Sequence, residues 1–339
     1  MSKKTSFPWA DLTDEQLLEM RICDLGLSLK NSWIEKLTTK LHKELEKKNL
    51  KFKPHVWVSD DWYSPDGIPG FAVPFYLLHP RLIHLEKKFI GEAEGEGKDW
   101  CMQLMRHETG HAIDNAYVLR KRKSRQKLFG LTSVEYPESY TPSQRNKDFV
   151  AHLGFDYAQA HPDEDWAETF AVWLTPGSKW KQVYSNWGCL EKLNLVDQIM
   201  NDIKGKRPTK KNQERTDDVS TLQITLADYY REKTERLGIL TPHKIHDELK
   251  SIFTSGFYTD TVKAHKFLKK GKKELCREIA RRSKSQHNKV NSVLGKLVRY
   301  CQEKNLHLAT SEKIAHKRIL AVLTKNSRKY FRNDNKVFM

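Results

Sequence analysis

The chain has 339 residues, of which 38% are apolar, 10% aromatic and 30% charged, and its formal net charge is +17. At about 150 residues per domain this length predicts two domains, and the aromatic content excludes a disordered tail-like protein because it supplies enough surface to bury. No run of the sequence approaches the roughly 20 apolar residues that a membrane helix needs, so we expect no membrane association.

The positive charge is concentrated in the C-terminal part. Residues 201–339 contain 33 Lys/Arg and 15 Asp/Glu, whereas residues 1–200 contain 27 and 28. Halves with such different electrostatics favour domains with different roles. We predict a first domain over residues 1–205, a polar linker over 206–220 and a basic helical domain over 221–339.

The cysteines and the N-terminus indicate the compartment. The five cysteines (Cys23, Cys101, Cys189, Cys276 and Cys301) are widely spaced and form no Cys-x-x-Cys pair. This pattern argues against a disulfide framework and against a cysteine-ligated zinc site. The first residues contain no apolar stretch typical of a secretory signal, and we therefore expect a cytoplasmic protein.

Hydrophobic periodicity predicts the elements in chain order. Helices are predicted at residues 17–25 and 32–47, strands at 52–59 and 71–78, and a helix at 99–119. Pro74 in the second strand favours an edge position. A basic, turn-rich segment at 120–148 precedes a helix that begins near residue 163. Further helices are predicted at about 222–237, 242–253, 261–283, 290–303 and 311–323. The fold class is therefore α+β, followed by an all-α basic region.

The predicted helix at 99–119 contains the pattern H-E-x-x-H, formed by His107-Glu108-Thr109-Gly110-His111. Two histidines four residues apart lie on one helical face, so both imidazoles can bind one metal ion. Glu108 lies between them and can accept a proton from a metal-bound water. The pattern predicts one Zn²⁺ per chain and requires a third ligand; the alternative is two histidines of an ordinary helix.

A second acidic pattern follows in Tyr157-Ala-Gln-Ala-His161-Pro-Asp-Glu164-Asp-Trp-Ala-Glu168. Glu164 and Glu168 lie one turn apart at the margin of a predicted apolar helix face, where a carboxylate is costly unless it is paired or bound to metal. Asp165 is expected to point away. We predict that Glu164 is the third ligand and that Glu168 accepts the second N–H of a ligating histidine. The two roles could be reversed, or the acids could be a helix cap and an exposed ion-pair former.

These motifs resemble known enzymes. H-E-x-x-H followed by Glu-x-x-x-Glu on a later helix resembles the gluzincin metallopeptidases, and the stretch from Glu164 is similar to one in the anthrax lethal factor catalytic domain. There, too, a tyrosine precedes the ligand glutamate by seven residues, as Tyr157 does here. The string from Tyr157 to Ala171 resembles more closely a bacterial family of predicted zinc-binding metallopeptidases. The 52 residues between His111 and Glu164 are more than thermolysin-like members have, which predicts an inserted loop.

The resemblance implies a zincin-like fold over about residues 50–205 and a zinc-dependent peptidase that acts on a peptide or protein substrate. Glu108 would be the general base, and Tyr157 would donate a hydrogen bond to the oxyanion; His161 could contact substrate in the same way, or Tyr157 could simply be packed. The strand at 71–78 would form a cleft wall whose free edge pairs with an extended peptide, or would be an ordinary edge strand.

Two basic segments leave further alternatives open. Residues 120–127 could attract nucleic acid or acidic substrates, or could be a solvated loop. The lysines and arginines of residues 263–284 could bind phosphate backbones or an acidic protein, or could form an ordinary basic surface. The alternatives to a peptidase are therefore a metal-binding scaffold without turnover and a protein that associates with nucleic acid or an acidic partner.

Overall fold

The computed structural model describes residues 7–144, 146–237, 239, 242–255, 262–285, 287–331 and 337–338. The chain forms two compact units, Met1–Tyr229 with Lys336–Met339, and Tyr230–Asn335. Helices predominate over small sheets, which agrees with an α+β class. Among the described residues, no helix is both long enough and apolar enough to cross a membrane.

The described helices are α1 (Asp14–Leu18), α2 (Trp33–Lys47), α3 (Pro80–Phe89), α4 (Lys98–Tyr117), α5 (Lys123–Phe129), α6 (Pro162–Leu174), α7 (Trp180–Val183), α8 (Leu190–Ile203), α9 (Leu226–Arg236), α10 (Pro242–Glu248), α11 (Ala264–Ser283), α12 (His287–Glu303) and α13 (Glu312–Phe331). The described strands are β1 (His55–Ser59), β2 (Gly70–Pro74), β3 (Ser139–Tyr140), β4 (Phe253–Thr254), β5 (His307–Leu308) and β6 (Val337–Phe338). The helix predicted at 17–25 is wrong in its bounds, because a 3-10 helix, Ile22–Leu25, follows α1.

The first unit contains a small parallel sheet of β1 and β2, in the register His55↔Gly70 to Ser59↔Pro74. The second predicted strand is too long, because Phe75–Leu78 forms a 3-10 helix after Pro74. The connection between the strands folds back: the Ala72 N–H donates to the Tyr63 carbonyl at 2.8 Å, and the Ser64 hydroxyl donates to the Gly70 carbonyl at 2.8 Å. The edge of β2 predicted to accept a peptide is thus partly occupied by the chain itself.

Helix α4 forms the centre of the first unit. Its buried residues extend from Cys101 to Ala116 on nearly all sides, so it packs as an internal helix rather than as a surface one. The Asn115 amide ties it to the β1–β2 connection by donating to the Pro65 and Ile68 carbonyls at 2.9 and 3.0 Å. This anchoring fixes the sheet beside the helix that carries the H-E-x-x-H pattern.

Residues 206–220, predicted as a linker, make specific contacts within the first unit. The Trp57 indole donates to the Thr216 carbonyl at 2.9 Å, and the Ser59 hydroxyl donates to the Asp217 carbonyl at 2.7 Å. The Thr209 N–H donates to the Ala116 carbonyl at 2.9 Å. The proposed boundaries at 205 and 221 stay a prediction, and these contacts show that the segment is held against β1 and the end of α4.

The second unit has its own apolar core, built mainly from α11, α12 and α13. Its buried residues include Phe267, Leu275, Leu294, Leu297 and Ile319. The description of this region as all-α is not complete, because β4 and β5 form a short antiparallel pair with Phe253 opposite Leu308. The helix predicted at 242–253 is too long, because α10 ends at Glu248. Residue 261, the start of the helix predicted at 261–283, lies outside the described residues.

Candidate metal centre

Helices α4 and α6 bring the predicted site residues together. Helix α6 begins where the sequence predicts, because His161 caps it: its Nδ1 accepts a hydrogen bond from the Asp163 N–H at 3.1 Å, and Pro162 occupies the first turn. Asp163, Glu164 and Asp165 place negative charge at the positive end of the helix dipole. Glu164 therefore lies in the first turn of α6, directed at the histidines of α4.

Three side-chain atoms converge between the two helices. The Oε2 atom of Glu164 lies 3.0 Å from His107 Nε2 and 3.4 Å from His111 Nε2, and the two Nε2 atoms are 3.2 Å apart. His107 and Glu164 are buried, and the side chain of His111 is 13% exposed. Two imidazoles and a carboxylate form a donor set that zinc binds in hydrolytic enzymes. The residues present therefore fit a zinc ion.

Glu168 determines which nitrogen of His107 faces this cluster. Its Oε1 lies 2.8 Å from His107 Nδ1, and its Oε2 accepts a hydrogen bond from the Leu153 N–H at 2.9 Å. The carboxylate can only accept, so the neutral His107 ring carries its proton on Nδ1 and directs the Nε2 lone pair at Glu164. The lone pairs of His107 Nε2 and Glu164 Oε2 repel each other at 3.0 Å, and a cation bound to both atoms removes that repulsion.

The electrostatics of the cluster favour positive charge. Burial lowers the pKa of His107, but the adjacent Glu164 and Glu168 carboxylates outweigh burial and raise this pKa well above its ordinary value. The pKa of His111 is likewise raised, because Glu164 opposes the effect of burial. Burial alone would raise the pKa of Glu164, yet His111 and His107 bring it below the ordinary range. The surroundings thus stabilise an ionised carboxylate beside a cation.

The carboxylate of Glu108 differs in its surroundings from those of Glu164 and Glu168. Its side chain is buried, and Oε2 has no hydrogen-bond partner within the described part of the chain. Burial raises the pKa of Glu108 above its ordinary value, although His107 and His111 lower it. A carboxylate whose pKa lies nearer neutrality is a better general base at physiological pH. Glu108 is therefore available to a substrate or water, whereas the carboxylates of Glu164 and Glu168 face the histidines of the cluster.

Tyr157 lies beside the cluster on a strained turn. Its ring centroid is 5.7 Å from that of His107. The two residues before it, Phe155 and Asp156, have positive φ values of 63° and 52°, which non-glycine residues adopt at a cost. The Tyr140 hydroxyl stabilises this turn by donating to the Phe155 carbonyl at 2.9 Å. Burial, and then Glu164 and Glu108, raise the pKa of Tyr157, so its phenol remains a hydrogen-bond donor.

The structure adds Tyr136, a residue that the sequence analysis missed. Its hydroxyl donates to Glu164 Oε1 at 3.0 Å, and its ring stacks on His161 with centroids 3.7 Å apart. His161 Nε2 contacts the Val134 carbonyl at 2.9 Å, and Nδ1 already caps α6, so both ring nitrogens are engaged. The loop before β3 is thereby attached to Glu164. This geometry favours a positioning role for His161 rather than the predicted contact with substrate.

A buried network of ion pairs connects α4, α5 and α6 next to the site. The fully buried Arg125 guanidinium donates to Asp114 at 3.2 Å and to Asp163 at 2.8 Å, which joins α4 to the start of α6. Arg120 also bonds Asp114, at 3.1 Å. The interpretation of residues 120–127 as a solvated loop or an exposed basic patch is therefore wrong for Arg125. Lys121, Lys123 and Lys127 are exposed, and a role for them in attracting a partner stays a prediction. Removing Arg125 would leave the buried Asp163 carboxylate without its cation and would leave Asp114 with Arg120 alone.

Asp165 differs from the prediction as well. It was expected to point away from the buried face, but it is 3% exposed and lies 2.7 Å from Lys192 of α8. Burial raises the pKa of Asp165 to about 7, against the opposing effect of Lys192. Helix α6 is buried on all sides, so the assumption of one solvated face was wrong.

Gly110, between the two histidines, sets the separation of α4 and α6. A Cβ atom at this position would lie 2.8 Å from Ala167 Cα and 3.1 Å from its carbonyl oxygen. The Trp166 indole also donates to the Gly110 carbonyl at 2.8 Å. A larger residue would push backbone against backbone, and the helices would have to separate.

We therefore expect Gly110→Ala to lower the free energy of unfolding by about 1–3 kcal/mol, as overpacking does. We also expect it to weaken zinc binding, because the residues of the cluster lie on both helices. Thermal unfolding and zinc titration check both effects. Gly271→Ala is the matched control, since a Cβ there meets only Leu275 Cδ1 at 3.8 Å within a helix. Equal stability and zinc affinity for Gly110→Ala and wild type would contradict the role of Gly110 in helix spacing.

Comparison with known families agrees with this geometry. Residues 100–228 match the model of a family described as "Putative zinc-binding metallo-peptidase". The matched segment includes α4 from residue 100 onwards, all of α6, and each residue of the cluster of His107, His111 and Glu164. Comparisons with curated proteins and with solved structures gave no match. The family match supports zinc binding and peptidase activity at the level of the class.

Proposed function

We propose that the protein is a zinc-dependent peptidase in which His107, His111 and Glu164 bind one zinc ion and Glu108 is the general base. The observation that supports this most strongly is the convergence of Glu164 Oε2 with two imidazole Nε2 atoms at 3.0 and 3.4 Å. The gluzincin assignment is part of the same proposal, because the third ligand comes from a separate helix and Glu168 follows it by one turn.

When bound, zinc supplies a Lewis acid that polarises a substrate carbonyl and lowers the pKa of a water molecule. Glu108 accepts the proton of the attacking water and delivers it to the leaving amine. The Glu108 side chain is buried, and its Oε2 atom has no hydrogen-bond partner among the described residues, which suits both proton transfers. Tyr157 donates a hydrogen bond to the negative charge that develops on the carbonyl oxygen.

The remaining residues position these groups. Glu168 fixes the proton of His107 on Nδ1, and Tyr136 holds Glu164 Oε1 so that Oε2 faces the histidines. His161 caps α6 and stacks on Tyr136. The competing function is a metal-binding scaffold without turnover. A scaffold would not need Glu108, whose buried side chain forms no hydrogen bond with a described residue.

A peptide-library digestion tests the proposed function. Purified full-length protein is incubated with a mixture of peptides in the presence and absence of a chelator, and new termini are identified by mass spectrometry. We expect cleavage that stops when zinc is removed and resumes when zinc is restored. Cleavage that persists in metal-free protein, or none from a zinc-loaded preparation across a library of broad sequence, would contradict the proposal.

The two tyrosines should have separable effects. Tyr136→Phe removes the hydrogen bond to a ligand carboxylate, so zinc affinity is expected to fall about 10- to 100-fold. Tyr157→Phe removes a donor to the oxyanion, so kcat is expected to fall by about 10²-fold with unchanged zinc affinity. Zinc titration together with steady-state kinetics distinguishes the two. Loss of zinc affinity in Tyr157→Phe but not in Tyr136→Phe would mean that the roles are assigned wrongly.

A further inference from the structure

The solvent face of α11 carries a continuous row of cations, which we name the cationic stripe. Its members are exposed and follow one another at intervals of three or four residues: Lys266, Lys270, Lys273, Arg277, Arg281 and Lys284. The members from Lys266 to Arg281 lie on one helical face, opposite the buried Phe267, Leu268, Leu275 and Ile279, and Lys284 follows directly after the last residue of the helix. At about 1.5 Å per residue, the part of the stripe that lies on the helix is roughly 22 Å long.

The charge of the stripe is not neutralised by neighbouring acids. Glu274 and Glu278 are the acids of α11, and Glu278 pairs with Arg282, which is not part of the stripe. None of the six stripe cations forms an ion pair with a described residue. The pKa of His265, next to the start of the stripe, is lowered by burial and then by Lys269, Lys263 and Lys266. The local field is therefore positive.

The surrounding unit strengthens this field. Residues 230–335, which form the second unit, contain 26 Lys/Arg and 10 Asp/Glu. The rest of the chain contains 34 and 33, so nearly all of the net charge belongs to the unit that carries α11. Charges of one sign on one unit add their potentials at the surface and attract a polyanion over distances longer than a single contact.

The exposed residues around the cationic stripe favour one class of anionic partner over the others. In the described part of this unit, the well-exposed large apolar side chains are Val262 and Ile314, and neither lies on α11. The face therefore lacks the apolar residues with which a helix inserts into a membrane or docks into an apolar groove. A straight row of cations fits a linear polyanion of high charge density, and duplex nucleic acid has one charge per about 1.7 Å.

We infer that the cationic stripe of α11 binds the phosphate backbone of duplex nucleic acid without reading its sequence. Lysines dominate the stripe, and they bind phosphates as point charges rather than through paired contacts to base edges. The inference is independent of the metal centre and of the proposed peptidase activity. It assigns the second unit a binding role that the family match does not address.

Helix α2 offers a matched control. Lys36, Lys40, Lys43 and Lys47 are exposed and have the same spacing as Lys266, Lys270, Lys273 and Arg277. They belong to the first unit, whose charge is nearly balanced, and the exposed acids Glu35 and Glu46 lie on the same helix. Replacing either set of four with glutamine changes the net charge of the protein equally.

Binding is measured by fluorescence anisotropy with a labelled duplex DNA of about 24 base pairs and arbitrary sequence, at several salt concentrations. For wild type we expect log K to fall linearly with log salt concentration. Glutamine at Lys266, Lys270, Lys273 and Arg277 is expected to reduce the slope by about 3 to 4, because each phosphate contact contributes about 0.9. The α2 variant is expected to bind as wild type does. Circular dichroism verifies that both variants are folded.

Three results would overturn the inference. The first is no salt-dependent binding of wild type to the duplex at low salt. The second is an equal loss in the α11 and α2 variants, which would indicate an effect of net charge alone. The third is tighter binding to vesicles of anionic lipid, or to polyglutamate of similar length, than to the duplex, which would indicate a membrane or an acidic protein instead.

Discussion

Glu108→Gln is expected to bind one zinc per chain with near-wild-type affinity and to lose turnover. Glutamine has nearly the same shape but cannot accept the proton of the attacking water, and general-base catalysis typically contributes about 10²- to 10⁴-fold. Among the described residues, Glu108 forms no hydrogen bond with His107, His111 or Glu164. Its replacement should therefore leave the arrangement of these three side chains intact. The expected signature is a fall in kcat of at least about 10²-fold with unchanged metal content.

The measurement pairs zinc analysis with kinetics on a peptide identified in the library. Glu96→Gln is a suitable control, because it removes a carboxylate from an exposed ion pair with Lys87. It should leave both zinc content and turnover unchanged. Turnover of Glu108→Gln equal to that of wild type would exclude the general-base role, and loss of zinc from this variant would make Glu108 a ligand.

The second large effect concerns the two glutamates of α6. Glu164→Ala removes the oxygen that lies 3.0 Å from His107 Nε2, so we expect zinc affinity to fall by at least about 10³-fold. Glu168→Ala removes the acceptor of the His107 Nδ1 proton and of the Leu153 N–H, and such outer partners typically contribute about 10- to 100-fold.

Competition with a chromophoric chelator gives both affinities on the same scale. The order of the two losses tests the assignment, because the sequence alone allowed either glutamate to be the ligand. A larger loss in Glu168→Ala than in Glu164→Ala would exchange their roles. Equal, small losses in both variants would mean that neither carboxylate holds the metal.

The parts of the site that could be predicted follow from local periodicity. The i, i+4 spacing of His107 and His111 places both on one face of α4, and the structure has their Nε2 atoms 3.2 Å apart. Glu164 and Glu168 were predicted as site residues because two carboxylates in adjacent turns of an apolar helix are costly unless each is paired or bound to a metal. Pro162 and the acids after it predicted a helix start near residue 163, and α6 begins at Pro162.

The parts that could not be predicted depend on tertiary contacts. Tyr136 lies in a turn-rich segment without periodicity, so no local pattern connects it to Glu164, 28 residues further on. Arg125 lies within a run of basic residues that resembles a solvated loop. The one available signal was Phe129, four residues later, which places an aromatic ring on the same helical face; both residues are buried.

The same limit applies to the sheet and to Asp165. The sequence of residues 52–78 predicted two strands but could not give their relative direction, and the connection that returns to pair with Ala72 has no sequence signature. Asp165 was placed on an outer face because a helical wheel assumes one solvated side. Helix α6 has no such side, since α4 and α8 both pack against it.

Zinc content of the purified native protein, with and without His111→Ala, tests the central claim most directly. The claim is that one cation joins the imidazoles of α4 to a carboxylate of α6. After dialysis against metal-free buffer, elemental analysis is expected to find one zinc per wild-type chain and none in a folded His111→Ala variant. Wild-type protein without a bound divalent metal after incubation with zinc, or equal zinc in the folded variant, would contradict the account.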